Sequence, residues 1–291
     1  MIFVFRQLMA LILSALFTAG VFYPANLTIR NVPEKAEEAT RVISFNVRYK
    51  DDDYGSVEGR SKLICAALEQ YAPDSFGVQE ATQQWLDIFE RELGDVYGVV
   101  AQMRDGAEDS EASAVYYLKE KFELLDSGTM WLSETPDVFA SKLPKSGCTR
   151  VATWATLKEK ASGKIYTHIN THLDHILEEV RVEQVKILET KLEELKAQGY
   201  PVICTGDFNT FEGDEAYNEM ITCLTDSKFI AAESDDGKTF HNYGKEFFKK
   251  KPIDFVFVTD GVTVHRYKII DEKIDRMYLS DHYGVCVDMT F

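Results

Sequence analysis

The chain has 291 residues and a formal net charge of −16, with 45% hydrophobic and 12% aromatic residues. That is ample material for one large domain core, and no repeat, low-complexity tract or linker divides it. The acidity argues against a protein that grips duplex nucleic acid mainly by neutralising phosphates, which calls for a basic face; only local clusters such as Lys249-Lys250-Lys251 and Lys142 with Lys145 are basic.

Met1–Gln7 carries Arg6, and Leu8–Tyr23 is almost wholly apolar, with the small residues Thr18, Ala19 and Gly20 near its end. Residues 1–25 therefore read as a signal peptide or a membrane anchor, and export to a secreted or extracytoplasmic site is the favoured reading. Asn26-Leu27-Thr28 fits a glycosylation sequon. The cysteines, at 65, 148, 204, 223 and 286, are odd in number and widely spaced, which argues against a disulfide scaffold and against a zinc ribbon. Cys204 and Cys286 lie in strand-like runs as core thiols; Cys148 can bridge Cys65 or Cys223 in an oxidising compartment.

Arg41–Val47 reads as a strand ending in Asn46. Ser61–Tyr71 has helical apolar spacing and is stopped by Pro73. Ser75–Gln79 is a short apolar run closed by Glu80, and Thr82–Leu93 is a helix with Trp85, Ile88 and Phe89 on one face. From Val96 to Leu157 the signal is short β segments, among them Ala114–Leu118, Phe122–Leu125 and Val151–Leu157, separated by turn residues. Lys164–Asn170 is a strand leading into Thr171-His172-Leu173-Asp174-His175, and the longest helix runs over Ile176–Gln198. Pro201–Cys204 is a strand and Asp214–Cys223 a helix. Strands at Ile253–Val258, Val262–Ile270 and Tyr283–Met289 finish the chain. Helices between strands at both ends, with hairpins in the middle, predict an α/β sandwich with mixed sheets.

Polar groups recur at the ends of these strands. Glu80 and Asp281 are hard oxygen donors, and Asn46 offers a carbonyl oxygen; the set suits Mg²⁺, with Mn²⁺ as an alternative. No GxSxG elbow, phosphate loop or HExxH helix supplies another nucleophile, which leaves water. Asp207 can orient or deprotonate that water. Asn209 can hold Asp207 or donate to a phosphate oxygen, although Asp and Asn are also turn formers. His282 can stabilise the phosphorane or transfer a proton, with Asp254 fixing its tautomer. His172 and Arg150 can contact phosphate oxygens, whereas His168, His241 and His265 default to structural roles.

Asn46, Gln79-Glu80, Asn170-Thr171-His172, Gly206-Asp207-Phe208-Asn209, Ile253-Asp254 and Ser280-Asp281-His282 resemble, in order, the motifs of the endonuclease/exonuclease/phosphatase superfamily. That superfamily includes pancreatic-type deoxyribonucleases, apurinic endonucleases, deadenylases, neutral sphingomyelinases and inositol polyphosphate 5-phosphatases. The resemblance implies a four-layer α/β sandwich, two mixed β-sheets flanked by helices, as a catalytic domain over residues 38–291. It implies a metal at Glu80, assisted by Asn46 and Asp281, and catalytic roles for His172, Asp207, Asn209, Asp254 and His282. The segments Ser127–Pro136 and Thr171–His175 look like those of often secreted hydrolases related to deadenylase-like exonucleases. Asp174 can contact substrate, or equally cap the long helix. Trp131, Phe240 and His241 can line the mouth and stack a base, with core packing an equal alternative for Trp131. The expectation is a divalent-metal phosphoester hydrolase, foremost a phosphodiesterase or nuclease acting on nucleic acid or nucleotides. A phospholipid head group (sphingomyelinase-like) or a phosphoinositide is the alternative, and a catalytically silent binding module ranks last. No obligate protein partner is expected, and the chain reads as a monomer.

Overall fold

The computed structural model describes residue 29 and residues 32–36, 38–246, 250–274 and 276–291. Residues 1–25, read above as signal or anchor, and Asn26 of the sequon lie outside the described residues. Among the described residues no helix is long and apolar enough to cross a membrane.

One sheet has the spatial order β10 (Glu233–Ser234), β12 (Thr263–Ile270), β13 (Gly284–Thr290), β1 (Thr40–Asn46), β2 (Ser75–Thr82), β4 (Glu111–Leu118) and β3 (Tyr97–Val100). The other runs β5 (Phe122–Trp131), β6 (Val151–Glu159), β7 (Ile165–His172), β8 (Val202–Asp207), β11 (Asp254–Val258) and β9 (Thr225–Asp226). Both are mixed: β1–β2 and β7–β8 are parallel, while β1–β13 and β8–β11 are antiparallel. The strands of the middle are buried on both faces, so they read as nearly continuous apolar runs rather than alternating ones. Alternate residues nevertheless go to different cores. In β1, Val42 packs between the sheets, and Ile43 and Phe45 pack outward against helices.

Helices α1 (Val57–Tyr71) and α2 (Gln83–Leu93) bring Ile64, Leu68, Trp85 and Phe89 onto the outer face of the first sheet. Helices α3 (Glu178–Lys196) and α4 (Glu215–Cys223) cover the second with Val185, Leu188, Leu192 and Met220. The result is the four-layer sandwich expected from sequence. A short helix, α5 (Ser227–Ile230), lies between β9 and β10. Helix α1 begins four residues before the expected Ser61, because its true cap is Ser56, whose hydroxyl accepts from the Gly59 N–H at 3.0 Å. Its first turn is polar and glycine-bearing, so apolar periodicity does not mark it. All the cysteines are free, so neither bridge open to Cys148 is formed.

A polar bracket joins the sheets near the edge that carries the motifs. β2 slips register against β4 between Val78 and Ala81, a bulge that leaves Glu80 with φ 61°. Asn170 of β7 donates to the carbonyls flanking that bulge, Val78 O at 2.9 Å and Ala114 O at 3.0 Å. Its own oxygen accepts from Gln79 Nε2 at 2.7 Å and Thr205 Oγ1 at 3.0 Å. The approach is close enough that a Cβ on Gly77 would lie 2.4 Å from Thr205 Oγ1. Replacing Asn170 by Ala strands several buried groups at once, each costing ~1–3 kcal/mol. We expect Asn170→Ala to lower unfolding stability by at least ~3 kcal/mol, read as a reduced urea midpoint at unchanged m-value.

Candidate active site

Cross-strand register builds the first half of the site. His172, the last residue of β7, pairs with Asp207, the last of β8, and Asp207 pairs with Asp254, the first of β11. Three functional side chains thus stand in one row across neighbouring strands. Two carboxylates directly opposite each other repel, and His282, in the loop before β13, offsets this. Its Nδ1 lies 2.9 Å from Asp254 Oδ2 and its Nε2 lies 3.7 Å from Asp207 Oδ2. Burial alone would depress the imidazole, but Asp254 and Asp207 outweigh it and push it up to about 10. His282 is therefore a cation at neutral pH.

Asp207 is 2% exposed. Burial, then Asp254, raises its carboxyl to about 7, against His282 and the hydrogen bonds it accepts. The backbone N–H of Asn209 donates to its Oδ1 at 3.0 Å, so Asn209 holds Asp207 through its main chain. The Asn209 side chain turns the other way, its Nδ2 lying 3.0 Å from His172 Nε2 and donating to Leu173 O. With Nε2 accepting, the His172 proton sits on Nδ1, which is buried and has no partner. Burial first, then Arg150 and Arg104, keeps His172 well below its ordinary value and hence neutral.

The first sheet supplies the other half. Asn46 Nδ2 donates to Glu80 Oε1 and to Asp207 Oδ2, both at 3.0 Å, while its Oδ1 accepts from the Arg48 N–H. The amide nitrogen thus faces the acids, where a ligating carbonyl oxygen was expected, and Asn46 ties the two sheets' carboxylates together. Glu80 Oε2 accepts from the Tyr49 N–H at 2.9 Å. Arg48 lies 3.7 Å from Asp281 Oδ2 and 4.0 Å from Glu80 Oε2. Burial raises the Asp281 carboxyl above the usual range, partly countered by His282. Glu80 and Asn209 both have left-handed backbones, φ 61° and 49°, a strain worth ~1–3 kcal/mol each that clusters at functional sites.

These groups line or underlie one cleft of about 540 Å³, which also takes in Arg104, Glu111, Arg150, His175 and Phe240. Phe240 lies with its ring 5.0 Å from that of His282. Trp131 and His241, two of the residues that could line the mouth, lie elsewhere, Trp131 taking the packing role that was its equal alternative. Asp174, read as a substrate contact or a helix cap, is also off the cleft. Trp131 is 7% exposed, donates its indole N–H to Arg104 O and meets Phe139 edge-on, so it supports the cleft from behind. Asp174 is buried beneath it, accepting from Ser146, Gly147, Ile176 and Leu177 as a loop latch ahead of α3. His241 is sandwiched between Tyr278 and Tyr283. His168 bridges Ser75 and Thr205 within the core. Sequence reasoning missed Arg48, Arg104 and Glu111. Arg48 stood two residues past Asn46 at a strand end, the same signal that found the others; Arg104 and Glu111 flank an unremarked polar hairpin.

The model of the endonuclease/exonuclease/phosphatase family matches residues 43–282. The chain belongs to that family. Members of the endonuclease/exonuclease/phosphatase family are metal-dependent phosphoesterases, and this chain is such an enzyme. Among solved structures, a family member from Bacteroides vulgatus is 32% identical, with a TM-score of 0.82 over 87% of this chain and 99% of that one. A Bacteroides thetaiotaomicron mannosyl-6-phosphatase is 30% identical, with a TM-score of 0.77 over 87% of this chain and 100% of that one. The human Nocturnin catalytic domain, with bound sulfate, is 21% identical, with a TM-score of 0.69 over 89% and 96%, and shares the fold. No curated protein matches the chain in sequence.

Two donor sets of this family member can be weighed for the metal. Asp207, Asp254 and His282 bring ligand atoms within 4.8 Å of one another, but the His282 imidazole and the Asp254 carboxylate there are already engaged with each other at 2.9 Å. Glu80 and Asp281 are hard oxygens that face the cleft, and their mutual repulsion suits a divalent cation of the Mg²⁺ type better.

The charge states set a pH profile. If Asp207 must be ionised and His282 protonated, kcat/KM rises through pH of about 7 and falls through pH of about 10. Removing the Asp254 charge takes away the largest attraction that lifts His282. Asp254→Asn is therefore expected to move the alkaline limb to lower pH, and the acid limb with it, because Asp254 also raises Asp207. An alkaline limb at its original position would show that His282 is not the group titrating.

Proposed function

We propose that this enzyme hydrolyses small, highly polar phosphoesters, foremost phosphomonoesters of the sugar-phosphate class, using water as the in-line nucleophile. The observation that carries this reading is the ionic make-up of the cleft. Arg48, Arg104, Arg150 and His282 converge there, in a chain of net charge −16 that otherwise offers no long basic track. A polymer held by many phosphate contacts would need such a track. Two of the three residues that could stack bases, Trp131 and His241, lie off the cleft. The 30% identity to a mannosyl-6-phosphatase supports the same reading.

In this scheme Asp207, held by Asn46 and the Asn209 N–H, takes the proton of the attacking water. His282, fixed by Asp254, presents Nε2–H to the phosphoryl oxygens as charge builds on them. His172, neutral and held through Nε2 by Asn209, lines the cleft beside Asp207, and Arg150 neutralises the phosphoryl group from the far side. A metal at Glu80 and Asp281, of Mg²⁺ type with Mn²⁺ as an alternative, would supply charge stabilisation of the phosphoryl group. A phosphodiester of nucleic acid or a nucleotide is the second reading, favoured by Phe240 and Tyr49 on the cleft wall, whose rings suit a base. The apolar run before residue 25 supports export or membrane tethering of the enzyme.

The test is a substrate panel in Mg²⁺ buffer, with p-nitrophenyl phosphate, bis-p-nitrophenyl phosphate, hexose phosphates and a short oligonucleotide. We expect phosphomonoesters to be preferred, chelator to abolish turnover, and added Mg²⁺ to restore it. Asp207→Asn should lower turnover by at least ~10², the usual worth of an acid–base group. Near-normal turnover in that variant, or preference for the oligonucleotide, would refute the respective part of the reading.

A further inference from the structure

The cleft runs on along the sheet edges beyond the reacting row, and strand order says how far. β4, which begins at Glu111, is two strands from β1 and Asn46, with β2 between them. Arg150, immediately before β6, is two strands from β8 and Asp207, with β7 between them. At about 4.8 Å per strand, this far wall stands ~10 Å from Asn46 and Asp207, with His172 of β7 one strand from β6. That is room for a phosphoryl group and one sugar-sized ring.

The wall is built rather than incidental. Arg104 Nη1 donates to Glu111 Oε2 at 2.7 Å, and the Arg104 N–H donates to Glu111 O, closing the hairpin. Trp131 pins the same loop through the Arg104 carbonyl at 2.7 Å. Arg150 is 5% exposed and has a contact of 3.3 Å from Nη2 to His175 Nδ1. The Nε of Arg150 is buried without a hydrogen-bond partner, and the Nε of Arg104 is buried with only the Asp105 carboxylate near it at 3.8 Å; buried donors left without a hydrogen bond are costly. Asp109 and Glu111 bring acceptors into the same wall. The carboxylates would repel a second phosphate, and an apolar leaving group would leave the guanidinium donors unanswered. Groups that both donate and accept satisfy the two kinds of partner together, and neighbouring hydroxyls on a ring do this.

We propose that Arg104, Glu111 and Arg150 form the leaving-group subsite of this enzyme, which recognises the hydroxyls of a phosphorylated sugar or polyol. The proposal rests on the phosphoesterase reading above and names the group beyond the phosphorus. Glu111 accepts hydrogen bonds from hydroxyl groups, Arg104 donates to hydroxyl oxygens while orienting Glu111, and Arg150 sits between ring and phosphoryl group. Trp131 acts as a positioning residue, holding the hairpin from behind.

The experiment compares mannose 6-phosphate with p-nitrophenyl phosphate, whose leaving group has no ring hydroxyls, for wild type, Glu111→Gln and Arg104→Ala. The readout is the ratio of kcat/KM on the sugar phosphate to kcat/KM on the aryl phosphate. Circular dichroism and the urea midpoint confirm folding, and Glu111→Gln keeps the side chain's shape if Arg104→Ala does not fold. We expect the ratio to fall at least ~10-fold in either variant, as loss of a charge-assisted hydrogen bond does. An unchanged ratio in folded protein overturns the subsite. So does a wild type that hydrolyses the aryl phosphate but no sugar phosphate, and in that case the phosphoesterase reading stands. A wild type inert on every phosphoester instead removes that earlier reading, and the subsite with it.

Discussion

One buried amide sets the geometry on which the site depends. Asn170 reaches from β7 to the two carbonyls beside the β2 bulge and takes hydrogen bonds from Gln79 and Thr205. The bulge turns Glu80 into the cleft, and a bulge leaves its ladder groups without their ordinary partners. Asn170 answers them from the opposite sheet. The device that aims the metal-side acid is thereby the same one that fixes the separation of the sheets. Gly77 belongs to it as well, since a side chain there would push Thr205 and Asn170 away.

With the sheets held so, the acids of both can be brought closer than they would choose. Asp207 and Asp254 face each other in register, and Asn46 hydrogen-bonds Glu80 and Asp207 simultaneously. Burial and the repulsion stored there give the site its chemistry. Burial first, and then Asp254, raises the Asp207 carboxyl to about 7, where a base is most useful, and the attraction of Asp254 and Asp207 outweighs burial to raise His282. The left-handed backbones of Glu80 and Asn209 are further strain, carried because the surrounding sheets are rigid. Some of the chain's left-handed residues thus fall at the site, as expected where function overrides consistency, while others, such as Ala72 and Ala140, lie elsewhere.

That pattern explains what the sequence disclosed. The layers were legible because doubly buried strands give unbroken apolar runs and the outer helices give clear faces, and the candidate site residues because most stand at or close to a strand end. Roles that depend on direction were harder. Asn46 was expected to offer oxygen and instead turns its nitrogen to the acids, a choice made by the Arg48 N–H. Trp131 and His241 were candidates for the mouth and are held behind it by Arg104 and by two tyrosines. Arg104 and Glu111 were invisible because their meaning comes from pairing across a hairpin to face β6, a contact of the second sheet with the first. No spacing along the chain encodes that.

The contrast between an acidic chain and an arginine-bearing cleft bears on the size of the substrate. At 0.1 M salt, charge is screened beyond ~10 Å, so a small phosphoester inside the cleft responds chiefly to the groups that line it, Arg48, Arg104, Arg150 and His282 set against Glu80, Asp109, Glu111, Asp207 and Asp281. A long polyanion extends past that distance, where each further phosphate meets a protein of net charge −16. Affinity for a polymer grows with the number of phosphates neutralised, and here that number stops at the cleft's edge. Acidic hydroxyl acceptors such as Glu111 deepen the asymmetry, repelling added phosphates while accepting from uncharged sugar hydroxyls. On the proposed reading, the same carboxylates that would make this a poor surface for a polymer favour a single phosphorylated ring.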